Sequence, residues 1–422
     1  MIERIKGALS RCGIALWRIN ELTEETAELF FVRKQLDTRR IKDVHKYTVT
    51  VFRDVEGDKP GRGLTSVQLL PSMEDGQLDE ELRGAYYAAQ FAANPHYDLP
   101  DPVQAPPVEK AGELARAPLA ESAGKMARAL FAPDVHEDAF INSAELFISR
   151  SAHRILSSAG TDVSYADARV SGEFVVQCTQ PEDVEMYHSF RYDQLEEQAL
   201  SAKAEEALTF VRDRARAQRV LKSGTYDLVL SGNQVSAVLS YYVERSAASM
   251  VYARYSTWQR GETVQGETAG EGVELTLRAT APYSAEGIPM ADLPLLHGGR
   301  LLAYHGPNRF CRYLEVQPTG SYEKMSCANG SLPFAQLKQG PCLWAVDFSD
   351  FQMDAMSGHF GGEIRLAYLI EDGKVTPVTG GSVNGSILEA QKDLAFSTER
   401  YLTARYDGPY ALRLRGVSVA GQ

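Results

Sequence analysis

Apolar and polar positions alternate along this chain with two periods, and the switches between them outline its elements. In the opening "MIERIKGALSRCGIALWRIN", Ile2, Ile5, Leu9, Cys12 and Leu16 recur at alternating steps of three and four with charges between them. That spacing predicts one apolar helix face and excludes an uninterrupted signal segment. "AELFFVRKQLDTRRI" from Ala27 alternates with β-branched and aromatic residues, as a strand does, and "KYTVTVFRDVEG" and "RGLTSVQLLP" predict two more, separated by the turn-forming "EGDKPGRG". A helix comes next in "DGQLDEELRGAYYAAQFAANP", where Leu78, Leu82, Ala85 and Ala89 form the buried stripe and acids crowd the first turn. Asn94 and Pro95 end it.

The proline-rich "DLPDPVQAPPVEKAG" reads as a stiff connector, and the residues after it repeat the pattern of those before it. Pro118 suits the first turn of a helix through Met126 and Leu130, and "AELFISRSAHRILSS" from Ala144 echoes the strand from Ala27. The runs "SYADARVSGEFVVQC" and "VEMYHSFRYD" and a helix from Leu195 to Val220 complete a second α-β-β-β-α unit. From about Ser223 the pattern changes to short alternating runs broken by Gly, Asn and Asp. "EIRLAYLIEDGKVTPV" predicts a hairpin about Asp372 and Gly373, and "GPYALRLRGVSVAG" a strand with Leu412 and Leu414 inward and Arg413 and Arg415 wet. The expected fold class is α+β: an N-terminal domain over 1–222, duplicated as 1–98 and 109–222, then a β-rich domain over 223–422 with one helix in it.

Composition narrows the function classes. With 422 residues, 44% hydrophobic and 24% charged, the chain can build a large core and has no apolar run long enough for a bilayer. Five cysteines without a close pair predict neither a disulfide scaffold nor a C-x-x-C metal site, so the cytoplasm is the expected compartment. A net charge of −12 and the lack of a basic stripe oppose polyanion binding; "FVRDRARAQRVLK" from Phe210 reads as a solvated helix face. No nucleic-acid or membrane partner is expected, and no cofactor, since "TGGSVNG" lacks the Lys-Ser/Thr ending of a P-loop and no G-x-S-x-G elbow occurs.

The order and spacing of several segments resemble the TldD/PmbA family, peptidase-related proteins also labelled modulators of DNA gyrase. They are "GRGLTSVQLLPSM", "AYYAAQFAANPHYDLP", "VEMYHSFRYD", "LKSGTYDLVLSG", "SGHFGGEIRLAYLIEDGKVTPVTGGSVNGSI" and "DGPYALRLRGVSVAG". The resemblance implies a two-domain α+β architecture, dimerisation around an enclosed cavity and proteolysis of unfolded peptides. It also implies two kinds of subunit: one with a His-Glu-x-x-x-His helix and a later Cys that hold zinc, and a PmbA/TldE-like one without them.

In the metal-bearing kind that helix follows a strand like "GTYDLVLSG", the place taken here by "NQVSAVLSYYVERSAASMVYA" from Asn233. The family's first His falls on Ser240 or Tyr241 and its second on Arg245 or Ser246, and no Cys stands near Ala395, so neither part of the metal site is present. Asn233 is expected to cap this helix, with Val235, Leu239, Tyr242 and Met250 on its buried face and the small Ser246–Ser249 run packing closely. Tyr241, Tyr242, Glu244, His305 and His359 are the candidates for lining a substrate cavity. The expected role is a non-catalytic subunit that holds unfolded peptide, paired with a zinc-bearing TldD-like partner or with itself. The alternatives are a stand-alone peptidase with a non-standard site and a regulatory protein of the gyrase-modulator type.

Overall fold

The structure, a computed structural model, describes residues 1–57 and 60–421. Residues 58 and 59, within the turn read at 56–63, and residue 422 lie outside the described residues. The first unit comprises α1 (Ile2–Arg11), β1 (Leu16–Val32), β2 (Gln35–Val55), β3 (Gly61–Leu69), α2 (Asp75–Ala89) and β4 (Ala93–Pro95). The second comprises α3 (Glu113–Arg116), α4 (Leu119–Phe131), β5 (Ala139–Ser157), β6 (Asp162–Cys178), β7 (Val184–Tyr192) and α5 (Glu197–Ala215). Their strands form one antiparallel sheet in the order β4-β3-β2-β1-β5-β6-β7. Ala27 and Ala144 begin the two "AELF" copies 117 positions apart, and Leu29 and Leu146, also 117 apart, sit directly opposite each other where β1 meets β5. Equivalent residues facing each other across an antiparallel pair define a local two-fold axis there.

Helices cover one face of this sheet. α1 and α2 pack Ile5, Leu9, Leu78 and Leu82 on Tyr47, Val49 and Val51; α4 and α5 pack Met126, Leu200 and Leu208 on Leu146, Val170 and Phe174. Leu78 and Leu82 have no exposed surface, and burying each contributes about 1.5–3 kcal/mol. A capping box between Glu74 and Gln77 starts α2. Helix α5 runs over Glu197–Ala215, shorter than the expected 195–220.

The second half is built on β8 (Gly224–Ser231) and α6 (Asn233–Arg245). β8 pairs in parallel with Cys342–Met353 and antiparallel with Ala411–Ala420; Ser382–Ser386 and His359–Glu371 close the ring back onto Cys342–Met353. A six-stranded sheet runs beside it from Arg300–Leu301 to Arg400–Leu402. The hairpin stands where expected, Glu371 opposite Lys374, with Asp372 and Gly373 at φ 50° and 76°, the positive values its two-residue turn requires.

Four expectations are corrected. Arg413 is buried, because its guanidinium donates to the Leu337 and Gln339 carbonyls and pairs with Asp227. The proline-rich connector is partly an element, since its Gln104 and Val108 bridge to β6. Besides α6 the second half holds short helices, among them Ala248–Tyr252 and Asn308–Tyr313. The stretch from Asn233 is two helices, so half-buried Met250 belongs to the second rather than to the face of Val235, Leu239 and Tyr242.

Candidate functional site

Helix α6 leaves β8 through Gly232, whose φ of 64° suits glycine and whose N–H donates to the Tyr410 carbonyl at 2.8 Å. Gly232, not Asn233, occupies the cap position, and no side chain caps the helix. One face of α6 then enters the core of the second half. Tyr242 has no exposed surface and donates its hydroxyl to Gln391 Oε1 at 2.8 Å, while its ring stacks on Trp258 and Tyr241 meets Trp258 edge-on.

Every position where the family's metal ligands would fall is committed to packing. Ser240 Oγ donates to the Ala237 carbonyl at 2.8 Å, and Ser246 Oγ to the Tyr242 and Val243 carbonyls at 2.8 Å each. Arg245 donates to the Tyr255 carbonyl at 2.6 Å and lies over the Trp258 ring. This set offers hydroxyls already bonded, an aromatic ring and a cation, and no imidazole or thiolate, so it does not fit zinc. Cys327 lies near Tyr242 in the same core, where burial pushes its thiol up to about 12. Among the described residues, no three His, Cys, Asp or Glu side chains group as metal ligands.

The remaining candidates gather around the C-terminal end of α6. His305 Nε2–H donates to the Val243 carbonyl at 2.8 Å, and burial holds the imidazole below its ordinary pKa despite that bond. Its own carbonyl accepts from Ala248 N at 2.8 Å. Glu244 is exposed, yet neighbouring atoms crowd its carboxylate; that partial burial raises its pKa, opposed by the nearby Ser240 hydroxyl and assisted by the Asp354 charge. Asp354 in turn adjoins exposed His359, whose carbonyl accepts from Asp354 N at 2.8 Å. Glu244, His305 and His359 are therefore drawn to one region, whereas Tyr241 and Tyr242 belong to the core.

A cleft lies at the other end of α6. It measures about 850 Å³ and lies between the helix-free face of the first sheet, α5, the first turn of α6 and the segment Arg400–Tyr410. Lys203 donates to the Tyr401 hydroxyl at 3.2 Å, and Tyr401 donates to Asn233 Oδ1 at 3.3 Å, linking three elements across its floor. Phe147, Ser189 and Arg191 line the opposite wall. Lys203, Tyr401 and Arg191 were not singled out from the sequence, because they come from segments up to 210 positions apart and no local motif joins them.

Residues 223–421 match the family model described as the PmbA/TldA metallopeptidase C-terminal domain. A curated relative, the metalloprotease TldD homolog of Haemophilus influenzae, is 28% identical over 29% of this chain, and the matched stretch spans 29% of that relative's length. Over the whole length the fold is that of solved structures at low identity. TldE from Thermococcus kodakarensis superposes with a TM-score of 0.79 at 14% identity, covering 99% of this chain and 100% of that one. A protein described as a DNA gyrase modulator, from Bacteroides thetaiotaomicron, gives 0.79 at 16% identity, covering 100% and 99%. The second half of the chain thus carries the C-terminal domain of the PmbA/TldA metallopeptidases, and its whole length has the fold of TldE and of the gyrase-modulator structure.

Proposed function

We propose that this chain is a non-catalytic, PmbA/TldE-like subunit of a TldD/TldE-type metalloprotease assembly that holds unfolded peptide for a zinc-bearing TldD-like partner. One observation carries the reading: α6 keeps its place after β8, while Ser240, Tyr241, Arg245 and Ser246 are all spent on carbonyls or core packing. A zinc-bound water supplies a nucleophile only where ligands exist, and an enclosing subunit contributes orientation and exclusion of competitors instead. The cleft beside Lys203 and Tyr401 is suited to hold an extended peptide, having both polar and aromatic walls. We assign the holding role to 1–222 and 223–422 together, as two domains, and the cytoplasm as the place of action. No helix is long and apolar enough to cross a membrane among the described residues.

The test mixes this chain with a TldD-like protein and a flexible peptide and follows products by mass spectrometry. This chain alone is expected to leave the peptide intact, and the mixture to cleave it until the partner's His-Glu-x-x-x-His is mutated. Metal-dependent cleavage by this chain alone contradicts the proposal.

A further inference from the structure

β2 is longer than the strand laid on its outer side. Its inner edge pairs with β1 from Gln35 to Phe52, but β3 covers only Tyr47–Val55. No backbone hydrogen bond reaches the outer edge of Gln35–Lys46 from elsewhere among the described residues. Residues Gln35–Asp43 are all exposed. An edge of twelve residues is about 40 Å of unpaired peptide groups, which folded proteins seldom leave open.

The second repeat shows what such an edge takes. β7 stops short on β6 in the same way, pairing only Val170–Cys178. There the chain's own connector completes the edge: Val103 O accepts from Asp162 N at 2.9 Å, Val108 N donates to Ser164 O at 3.0 Å, and Val108 O accepts from Ala166 N at 2.9 Å. The equivalent edge of the first repeat has no such cover among the described residues.

Charge selects the occupant. Tyr47, Val49 and Val51 face the helix-covered core, so the alternate row of Thr38, Arg40, Lys42, Val44 and Lys46 faces the other way. That row holds three cations and no acid. Arg40 is paired with buried Glu28, whereas Lys42 and Lys46 have no ion-pair partner among the described residues. A second copy of the same edge is a poor match. Identical edges meeting about a two-fold axis must bring some residue opposite itself, because opposed residues both turn their peptide groups to the shared edge. Centring on Arg39, Arg40, Lys42 or Asp43 opposes like charges, centring on Ile41 sets Arg40 against Lys42 twice, and centring on Val44 sets Lys42 against Lys46. Centring on Thr38 avoids this only by leaving Lys42–Lys46 unpaired.

We propose that the outer edge of Gln35–Lys46 is a docking site for an extended acidic segment of a different polypeptide, added to the sheet in line with β3. Its backbone pairs with the free peptide groups and its carboxylates meet Arg40, Lys42 and Lys46. The site uses nothing of α6, so it stands or falls separately from the peptide-holding role.

The test measures fluorescence anisotropy of labelled synthetic peptides of about ten residues with the full chain. One alternates Glu with Thr and Val, one alternates Lys with Thr and Val, one carries this chain's own sequence from Asp37 to Lys46, and one is the Glu peptide with alternate amides N-methylated. The Glu peptide is expected to bind saturably, and the other three at least about tenfold more weakly. The double variant Lys42→Glu, Lys46→Glu, whose native side chains make no hydrogen bond or ion pair among the described residues, is expected to weaken the Glu peptide about tenfold with an unchanged circular dichroism spectrum. No saturable binding of the Glu peptide at about millimolar concentration, equal binding of the Lys or N-methylated peptide, or tightest binding of the chain's own sequence would each overturn the proposal.

Discussion

Replacing Tyr242 by Phe removes one oxygen and separates two roles for this residue. The ring is fully buried against Trp258, and its hydroxyl is the donor to Gln391 Oε1 at 2.8 Å. Gln391 is itself buried, its backbone carbonyl already accepting from Gln265. Tyr242→Phe therefore loses a hydrogen bond worth about 1 kcal/mol net and leaves a buried acceptor unpaired, for a total of about 2 kcal/mol. With a urea dependence of up to about 3 kcal/mol per M, the unfolding midpoint of the second half falls by at least about 0.7 M. Urea titration followed by tryptophan fluorescence reads this directly, since Trp258 adjoins the site. Peptide affinity is expected to stay unchanged, because the residue offers no surface to a ligand. An unshifted midpoint together with a loss of peptide affinity would refute the structural role and restore Tyr242 as a substrate contact.

Two further expectations concern pH and one concerns peptide cleavage. Burial against Phe174 and α5 pushes His188 down to about 3, so the folded state keeps it neutral while the unfolded chain takes a proton below about 6.5. This folded pKa is depressed, so its contribution is present above 6.5 and is lost as pH falls; His188→Phe should flatten the acid limb of the stability curve by about 2 kcal/mol between pH 7 and 5, measured by urea unfolding. Asp347 shows the opposite sign: burial raises it to about 6 although Arg214 stands 3.6 Å away. Its ionisation costs stability as pH rises through about 6, so Asp347→Asn should be more stable than the parent by about 2 kcal/mol at pH 8, an advantage that fades toward pH 4. The mixing assay should give no peptide products from this chain without a TldD-like partner.

Local periodicity made the N-terminal architecture legible. Leu78, Leu82, Ala85 and Ala89 lie buried as their spacing predicts, and Leu29 and Leu146, in the two segments that echo each other, face one another where β1 meets β5. Periodicity could not reveal the fate of Arg413, because its burial depends on carbonyls at Leu337 and Gln339 and on Asp227, all distant in sequence. The helix break at Ser246 was hidden for a similar reason: its hydroxyl returns to the Tyr242 and Val243 carbonyls while Ala248 N turns to the His305 carbonyl, a partner from another segment. The cleft at Lys203 and Tyr401 is likewise a product of tertiary packing. What the sequence could state about chemistry was the residue types on α6, and the structure adds that Ser240, Arg245 and Ser246 bond to main-chain carbonyls while Tyr241 is packed in the core.

The central claim is that α6 holds no catalytic metal, and zinc content measures it most directly. After expression with zinc and exhaustive dialysis, elemental analysis of the purified full chain should find well below about 0.1 zinc per chain. About one tightly held zinc per chain, with activity lost on its removal, would contradict the account.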